Sequence, residues 1–140
     1  MTAYADSSFF VSLYTQDVHS VAAHERMKLD PRLWFTPLHW AECFHAVAQQ
    51  TFQHRISIAE AEAVYDSLKR DQSAAVWLEV PIPETAFALC AELGRRYGPK
   101  LGVRTLDSLH VACALELKAE RFWTFDERQA KLAKAEGLKT

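Results

Sequence analysis

Glycine is scarce in this chain, and its scarcity bears on one large class of enzymes. Only four of the 140 residues are glycine. None of them stands in the GxGxxG or GxxxxGK spacing with which a glycine-rich loop holds the phosphates of a nucleotide. The sequence therefore argues against an enzyme that depends on a nucleotide cofactor.

Cysteine pairs and long apolar stretches are also missing. Cys43, Cys90 and Cys113 lack CxxC spacing, and their odd number argues against a disulfide framework. No apolar run reaches the length of a membrane span, and Met1 leads into a short strand-like segment rather than a signal peptide. We therefore expect a reduced, cytoplasmic protein without a membrane segment.

The chain has no strong excess of either charge. Its net charge of −2 lacks the basic bias of many nucleic-acid-binding proteins. Local basic patches remain compatible with RNA, because several of the 18 acidic residues can be assigned to a metal site. With 49% apolar residues, the chain is expected to fold as one domain over residues 1–140.

Strand-like and helix-like segments alternate along the chain. The predicted strands cover residues 2–5, 33–36, 76–80 and 121–124. The predicted helices cover residues 7–14, 17–28, 38–53, 57–70, 83–97, 105–117 and 126–136. Pro37 suits the first turn of one helix, Ser57 and Glu60 form a capping box on the next, and residues 98–102 read as a loop. This order predicts a parallel sheet of four or five strands with helices on both faces.

Four acidic residues lie where these segments end or begin. Asp6 follows the first predicted strand and Asp126 follows the fourth, while Glu42 and Asp107 lie on predicted helices. In an open parallel sheet the ligand site lies beyond the carboxyl ends of the strands. We therefore expect these four side chains to converge there.

Carboxylates held together need a cation. Two unit charges about 5 Å apart at an effective dielectric near 20 repel by roughly 3 kcal/mol. Divalent cations such as Mg²⁺ prefer oxygen ligands, and they can polarise a phosphate and acidify a water. The four acids thus predict a metal-dependent phosphodiester hydrolase, although any one of them alone is more typical of a solvated helix face or of a helix cap.

The local sequence around each acid makes the prediction more specific. The four segments, in order, are Tyr4-Ala-Asp-Ser-Ser-Phe-Phe-Val, Trp40-Ala-Glu-Cys, Arg104-Thr-Leu-Asp-Ser-Leu-His-Val-Ala-Cys-Ala-Leu and Thr124-Phe-Asp-Glu-Arg. They occur in the order found in PIN-domain ribonucleases, and the chain resembles the VapC-like toxins of bacterial toxin–antitoxin pairs over essentially its full length.

The resemblance implies a site, a cofactor and partners. The acidic metal-binding and catalytic positions of the family are matched by Asp6, Glu42, Asp107 and Asp126. The hydroxyl positions near the site are matched by Ser7 and Thr124. The family resemblance further implies a three-layer α/β/α sandwich and Mg²⁺ or Mn²⁺ dependence. It also implies endonucleolytic cleavage of RNA, inhibition by a small antitoxin protein, and a homodimer.

Basic residues cluster just before the third acid. Arg95, Arg96, Lys100 and Arg104 surround the predicted loop that leads to Asp107. Arg104 lies one turn before Asp107, and we predict that it contacts a substrate phosphate.

Histidines offer other interpretations of the site. His110 lies three residues after Asp107 and on the same helical face. A role in packing and hydrogen bonding is favoured for it over a role as a base, because metal-activated water needs no histidine. His39, Cys43 and His45 resemble a zinc cluster, but Cys43 and His45 point about 200° apart on a helix and cannot easily chelate one ion.

Three alternative functions remain open at this stage. The chain could be a PIN-domain RNA-processing nuclease without an antitoxin. It could be a receiver-like phosphoacceptor domain that binds Mg²⁺, although no lysine lies within the four segments. It could also be a protein-binding module whose acidic site is vestigial.

Overall fold

A four-stranded parallel sheet organises the chain. The computed structural model describes residues 1–140 and arranges the strands in the order β3-β2-β1-β4. The strands are β1 (Thr2–Ala5), β2 (Arg32–Phe35), β3 (Leu78–Glu79) and β4 (Arg121–Trp123). The helices are α1 (Ser7–Tyr14), α2 (Ser20–Met27), α3 (Pro37–Phe52), α4 (Ile58–Ser73), α5 (Ala86–Leu101), α6 (Thr105–Glu116) and α7 (Glu127–Ala135). None of these helices has both the length and the apolarity that a membrane crossing requires.

Side chains alternate between the two faces of the sheet and so create two cores. In β1, Ala3 and Ala5 pack with residues of α1 to α4, whereas Tyr4 packs with residues of α5 to α7. In β4, Trp123 joins the first core and Phe122 joins the second. Successive strand residues point to opposite faces, so a helical layer covers each side. The predicted three-layer α/β/α sandwich is confirmed.

Two helices begin at caps that the sequence predicts. Thr36 is the N-cap of α3, with Pro37 in its first turn. At α4 the Ser57 hydroxyl accepts from the Glu60 amide at 3.1 Å, and the Glu60 carboxylate accepts from the Ser57 amide at 3.2 Å. Both contacts satisfy amide groups that have no partner within the helix.

The scarcity of glycine is visible where helices end. α3, α4 and α6 are each followed by a non-glycine residue in the left-handed region: His54 (φ 58°), Ala75 (φ 53°) and Lys118 (φ 56°). After α4 the Ala75 amide donates to the Gln72 carbonyl at 3.0 Å, as in the usual glycine-terminated helix end. α5 and α7 instead end at left-handed glycines, Gly102 (φ 65°) and Gly137 (φ 87°). Each left-handed non-glycine residue costs roughly 1–2 kcal/mol.

The loop predicted for residues 98–102 is wrong. α5 continues through Pro99 to Leu101 and ends at Gly102, whose φ of 65° terminates it. Proline removes one amide donor but leaves the rest of the turn intact. Tyr97 and Leu101 pack against the core on the α5 side, and the Gly102 amide donates to the Gly98 carbonyl at 2.9 Å. Packing and this bond keep the last turn helical.

Two further predicted bounds also differ, and of the four or five strands expected the sheet has four. β3 has only two residues, and α2 begins at Ser20 because Asp17 accepts from the Ser12 hydroxyl and the His19 amide, both at 2.8 Å. No fifth strand forms, but Lys139 makes a single parallel bridge to Arg121 at the outer edge of β4.

Candidate metal and catalytic site

Asp6 lies at the junction of β1 and α1. Its amide donates to the Trp123 carbonyl at 3.1 Å, which places it beside the end of β4. Its carboxylate caps α1 by accepting from the Phe9 amide at 3.1 Å. The Ser8 hydroxyl lies 2.8 and 2.9 Å from the two carboxylate oxygens. Asp6 is therefore held in one orientation at the carboxyl edge of the sheet.

Asp6 is also buried, with only 8% of its surface exposed. Burial raises the pKa of Asp6 above its usual value, and this effect exceeds the opposing effects of Ser8, His110, the Phe9 amide and Thr124. The raised pKa means that the folded protein holds the ionised carboxylate at a cost. A cation bound beside Asp6 would relieve that cost.

Thr124 connects Asp6 to Asp126. The Thr124 hydroxyl donates to Asp6 Oδ2 at 3.1 Å and accepts from the Asp126 amide at 3.0 Å. Asp126 caps α7 by accepting from the Gln129 amide at 2.8 Å, and its side chain is exposed. Asp126 is thus a helix cap located beside the predicted site, and the two roles are compatible.

Glu42 reaches the same region from α3. Its Oε1 accepts from the Ser7 hydroxyl at 2.8 Å and lies 2.5 Å from His110 Nε2. Burial by itself would raise the pKa of Glu42, but the hydrogen bond and charge of His110, with the Ser7 bond, outweigh it and lower the pKa. The side chain remains 28% exposed, so it is accessible to a ligand.

Asp107 lies in the first turn of α6, 32% exposed. It accepts from the Arg104 amide at 3.4 Å, and Arg104 Nε lies 4.0 Å away. The Arg104 side chain is 90% exposed, so this ion pair contributes little to stability and leaves the guanidinium free for a ligand. Gln129 Nε2 donates to the Asp107 carbonyl at 3.2 Å, which ties the start of α6 to α7.

The predicted residues are joined by hydrogen bonds rather than by direct contact between carboxylates. Thr124 bridges Asp6 to Asp126, and Gln129 extends that chain to Asp107, whereas Glu42 belongs to a separate group with Ser7 and His110. The two groups are adjacent, because Ser7 follows Asp6 directly in the chain and its hydroxyl donates to Glu42. No three acidic, histidine or cysteine side chains are already gathered as a metal site.

The chemistry of the donors nevertheless fits a hard divalent cation. All four predicted ligands are carboxylates, and oxygen donors are what Mg²⁺ and Mn²⁺ prefer. Three of them, Asp6, Asp107 and Asp126, lie at the N-terminal ends of α1, α6 and α7. The positive ends of these helix dipoles stabilise negative charge, by about 0.3–1 kcal/mol each at exposed positions.

The sequence did not reveal every residue of this network. His110 hydrogen-bonds as predicted, but its contact with Glu42, 68 residues away, has no signal in the sequence beyond its spacing from Asp107. The contacts of Ser8 and Gln129 were also missed, although a serine two residues after Asp6 is a recognisable local hydrogen-bonding pattern. Burial, then the charges of Glu42 and Asp6, raise the pKa of Cys43 to about 12, as expected of an inert thiol.

Two surface cavities lie along this side of the molecule. A cavity of about 270 Å³ is lined by Ser7, Ser8 and Glu42 together with Asp17 and His19. A larger one, of about 490 Å³, lies at the ends of β2 and β3 and contains none of the predicted acids. The smaller cavity borders the candidate site at Ser7 and Glu42, whereas Asp6, Asp107 and Asp126 do not line it.

Comparisons with known proteins identify similar sequences and folds. The PIN domain family model matches residues 3–135. No curated protein matches the chain in sequence. Among solved structures, VapC20 of Mycobacterium tuberculosis, a toxin that cleaves the sarcin–ricin loop, has a TM-score of 0.68 at 15% identity, covering 97% of this chain and 95% of that one.

Two further structures have similar folds. VapBC2 of Rickettsia felis, bound to a DNA fragment from its promoter, has a TM-score of 0.69 at 14% identity, covering 94% of this chain and 93% of that one. FitAcB of Neisseria gonorrhoeae has a TM-score of 0.66 at 16% identity, with the same coverage of 94% and 93%. At these identities the likeness establishes the fold alone.

Proposed function

The chain belongs to the PIN domain family, and from that premise we propose that it is an endoribonuclease dependent on Mg²⁺ or Mn²⁺. The observation that carries the proposal is the hydrogen-bonded arrangement of Asp6, Thr124 and Asp126 where β1 and β4 end. Glu42 on α3 and Asp107 on α6 are the two further acids that we assign to the site. We infer nuclease activity from the family, and the need for a divalent metal from the carboxylate donors.

The chain's own residues hold the carboxylates in place. Ser8 and Thr124 orient Asp6, and Ser7 and His110 orient Glu42, so that folding fixes two of the four acids. A divalent cation bound by these acids would polarise the phosphodiester and acidify a water. Asp107 and Asp126 are more exposed, and they would supply the remaining carboxylates to that cation.

RNA is the proposed substrate, with Arg104 as a phosphate contact. Its guanidinium is exposed beside Asp107, and the N-terminal ends of α1, α6 and α7 add positive potential to the same edge. Single-stranded or looped RNA is favoured, because its backbone is accessible to a shallow site. The similar fold of VapC20, which cleaves a loop of RNA, supports this choice.

We further propose that the chain is the toxin of a toxin–antitoxin pair, forms a homodimer, and is held inactive by a small antitoxin protein. The support is the fold shared with VapC20, VapBC2 and FitAcB over more than nine-tenths of the chain. A PIN-domain RNA-processing nuclease would have the same site and no antitoxin. A neighbouring reading frame for a small DNA-binding protein would distinguish the two.

The direct test is cleavage of RNA by purified protein. Cleavage is expected with Mg²⁺ or Mn²⁺ and is lost in excess chelator. Asp6→Asn should abolish it, whereas Asp66→Asn, the same change at an exposed position on α4, should not. Cleavage in excess chelator, or full activity of Asp6→Asn, would refute the metal-dependent mechanism.

Expression in cells tests the toxin role. Growth arrest by the parent chain, relieved by Asp6→Asn but not by Asp66→Asn, is expected. A stable aspartyl-phosphate at Asp6 would instead support the receiver-like alternative.

A further inference from the structure

His110 occupies the most enclosed position in the candidate site. It lies on α6 one turn after Asp107 and is only 3% exposed. Its Nε2 lies 2.5 Å from Glu42 Oε1 and 3.3 Å from the Ser7 hydroxyl, and its Nδ1 lies 2.8 Å from the Tyr4 hydroxyl. One imidazole therefore joins β1, α1, α3 and α6.

The direction of these bonds follows from the chemistry of the partners. An ionised carboxylate only accepts hydrogen bonds, so Nε2 carries the proton and donates it to Glu42. The opposite nitrogen faces the Tyr4 phenol. Tyr4 is completely buried and stacks on Phe122, with ring centroids 5.8 Å apart, so the phenol is a fixed support for the ring.

The two oxygens of Glu42 are treated differently. Oε1 accepts from both His110 and Ser7, whereas Oε2 has no hydrogen-bond donor in the protein. Two donors on one oxygen fix the plane and direction of the carboxylate. The other oxygen is left free of protein donors, and Glu42 lines a cavity together with Ser7 and Ser8.

We propose that His110, supported by Tyr4, is a positioning residue that holds Glu42 by Oε1 and presents Oε2 to a divalent cation. The inference rests on the proposed function, because it needs a cation at the site. It adds His110 to the residues proposed to serve the site, which were four acids and the hydroxyls of Ser7 and Thr124. Partners that orient metal-binding side chains in this way typically change metal affinity about 10–100-fold when they are replaced.

A purely structural histidine would behave differently. A buried, hydrogen-bonded histidine contributes to stability wherever it lies, so its loss would lower the free energy of unfolding without changing metal affinity. A positioning role requires that metal affinity falls and that the fall depends on Glu42. Metal affinity and its coupling to Glu42 are therefore the informative quantities.

The experiment compares His110→Gln with His110→Asn in Mn²⁺ titrations followed by calorimetry. The Gln amide reaches roughly the position of Nε2 and can donate to Glu42, whereas the Asn amide reaches only the position of Nδ1. We expect His110→Asn to weaken Mn²⁺ binding about 10–100-fold and His110→Gln to retain most of the affinity. In a Glu42→Gln background, His110→Asn should cause no further loss.

Urea denaturation in chelator reports separately whether each variant folds. If His110→Asn does not fold, Tyr4→Phe provides the test, because it keeps the ring and removes only the hydroxyl that supports His110. A smaller loss of Mn²⁺ affinity is expected for Tyr4→Phe, and it should vanish in the Glu42→Gln background.

The outcomes separate this inference from the proposed function. Parental Mn²⁺ affinity in folded His110→Asn, or equal losses with and without Glu42, would make His110 a structural residue and leave the proposed function standing. A parent chain that binds no Mn²⁺ would overturn the proposed function and this inference with it.

Discussion

Replacing Thr124 with valine removes a hydroxyl that serves two acids while nearly preserving side-chain shape. The hydroxyl donates to buried Asp6 and accepts from the Asp126 amide. A hydrogen bond to a charged group contributes about 1.5–3 kcal/mol, and the methyl group that valine adds returns about 0.8 kcal/mol. The hydrogen bond from the Asp126 amide is neutral and only partly buried, so its loss adds less than the loss of the bond to Asp6. We therefore expect a net loss of about 1–2 kcal/mol in the free energy of unfolding.

Urea denaturation in chelator measures this loss, and Thr124→Ser is the matched control. Serine keeps the hydroxyl but loses one methyl group, which costs about 1 kcal/mol in a buried position. The two variants can therefore be similarly unstable without metal. They should differ in Mn²⁺ binding, because only the serine variant still orients Asp6 and the start of α7.

Either of two results would refute the prediction. A valine variant as stable as its parent in chelator would show that the contact with Asp6 has no net value. A valine variant that is destabilised but binds Mn²⁺ like the serine variant would show that Thr124 stabilises the fold without serving the site.

Three further predictions concern charge, backbone and pH. Arg104→Ala should flatten the slope of log affinity for RNA against log salt concentration by about 0.7–1 unit, whereas Lys69→Ala, on the exposed face of α4, should leave the slope unchanged. Equal slopes for Arg104→Ala and its parent would show that Arg104 does not contact RNA. Ala75→Gly should stabilise the protein by about 0.5–1 kcal/mol in urea denaturation, because glycine adopts the left-handed φ of 53° without strain. The control Ala74→Gly, at φ −85°, should destabilise the protein. A loss of stability at both positions would contradict this reasoning. Burial, then the charge of His110, lower the pKa of His39 to about 3 in the folded protein, below its unfolded value near 6.5. Folding therefore favours the neutral imidazole, and this contribution to stability is fully present above pH 6.5. That stabilisation is lost as the pH falls towards 3, by up to about 1.4 kcal/mol per pH unit. In urea denaturation at pH 7 and 5 in chelator, the free energy of unfolding of His39→Gln should fall less than that of the parent. An identical pH dependence in both proteins would argue against a buried neutral imidazole.

Local patterns were enough to predict most of the fold. The first strand and first helix, at residues 2–5 and 7–14, are found with the predicted bounds. Period-two and period-3.6 patterns, proline in a first turn, and the Ser57–Glu60 capping box depend on neighbouring residues, so they can be read without tertiary structure. The same locality explains why Asp6 and Asp126 could be placed at the carboxyl edge of the sheet.

What the sequence missed depends on packing between distant segments. Pro99 was read as part of a loop because proline disfavours a helix interior, but contacts of Tyr97 and Leu101 with the core hold that turn in place. The link between Glu42 and His110 spans 68 residues and joins α3 and α6, which cover opposite faces of the sheet. Whether the four acids gather around a cation stays a prediction, since side-chain convergence on that scale is not encoded in any local pattern.

The bridge from Lys139 to Arg121 has a consequence for how this molecule can associate. The Phe122 amide on the outer side of β4 donates to the Lys139 carbonyl at 2.7 Å, so that edge already has a covering segment. At the opposite edge, β3 is two residues long, and Pro81 and Pro83 follow it. Short, proline-flanked or covered edges resist pairing with strands of other chains. Assembly by extension of the sheet is therefore disfavoured on both sides, which favours association through the helical layers.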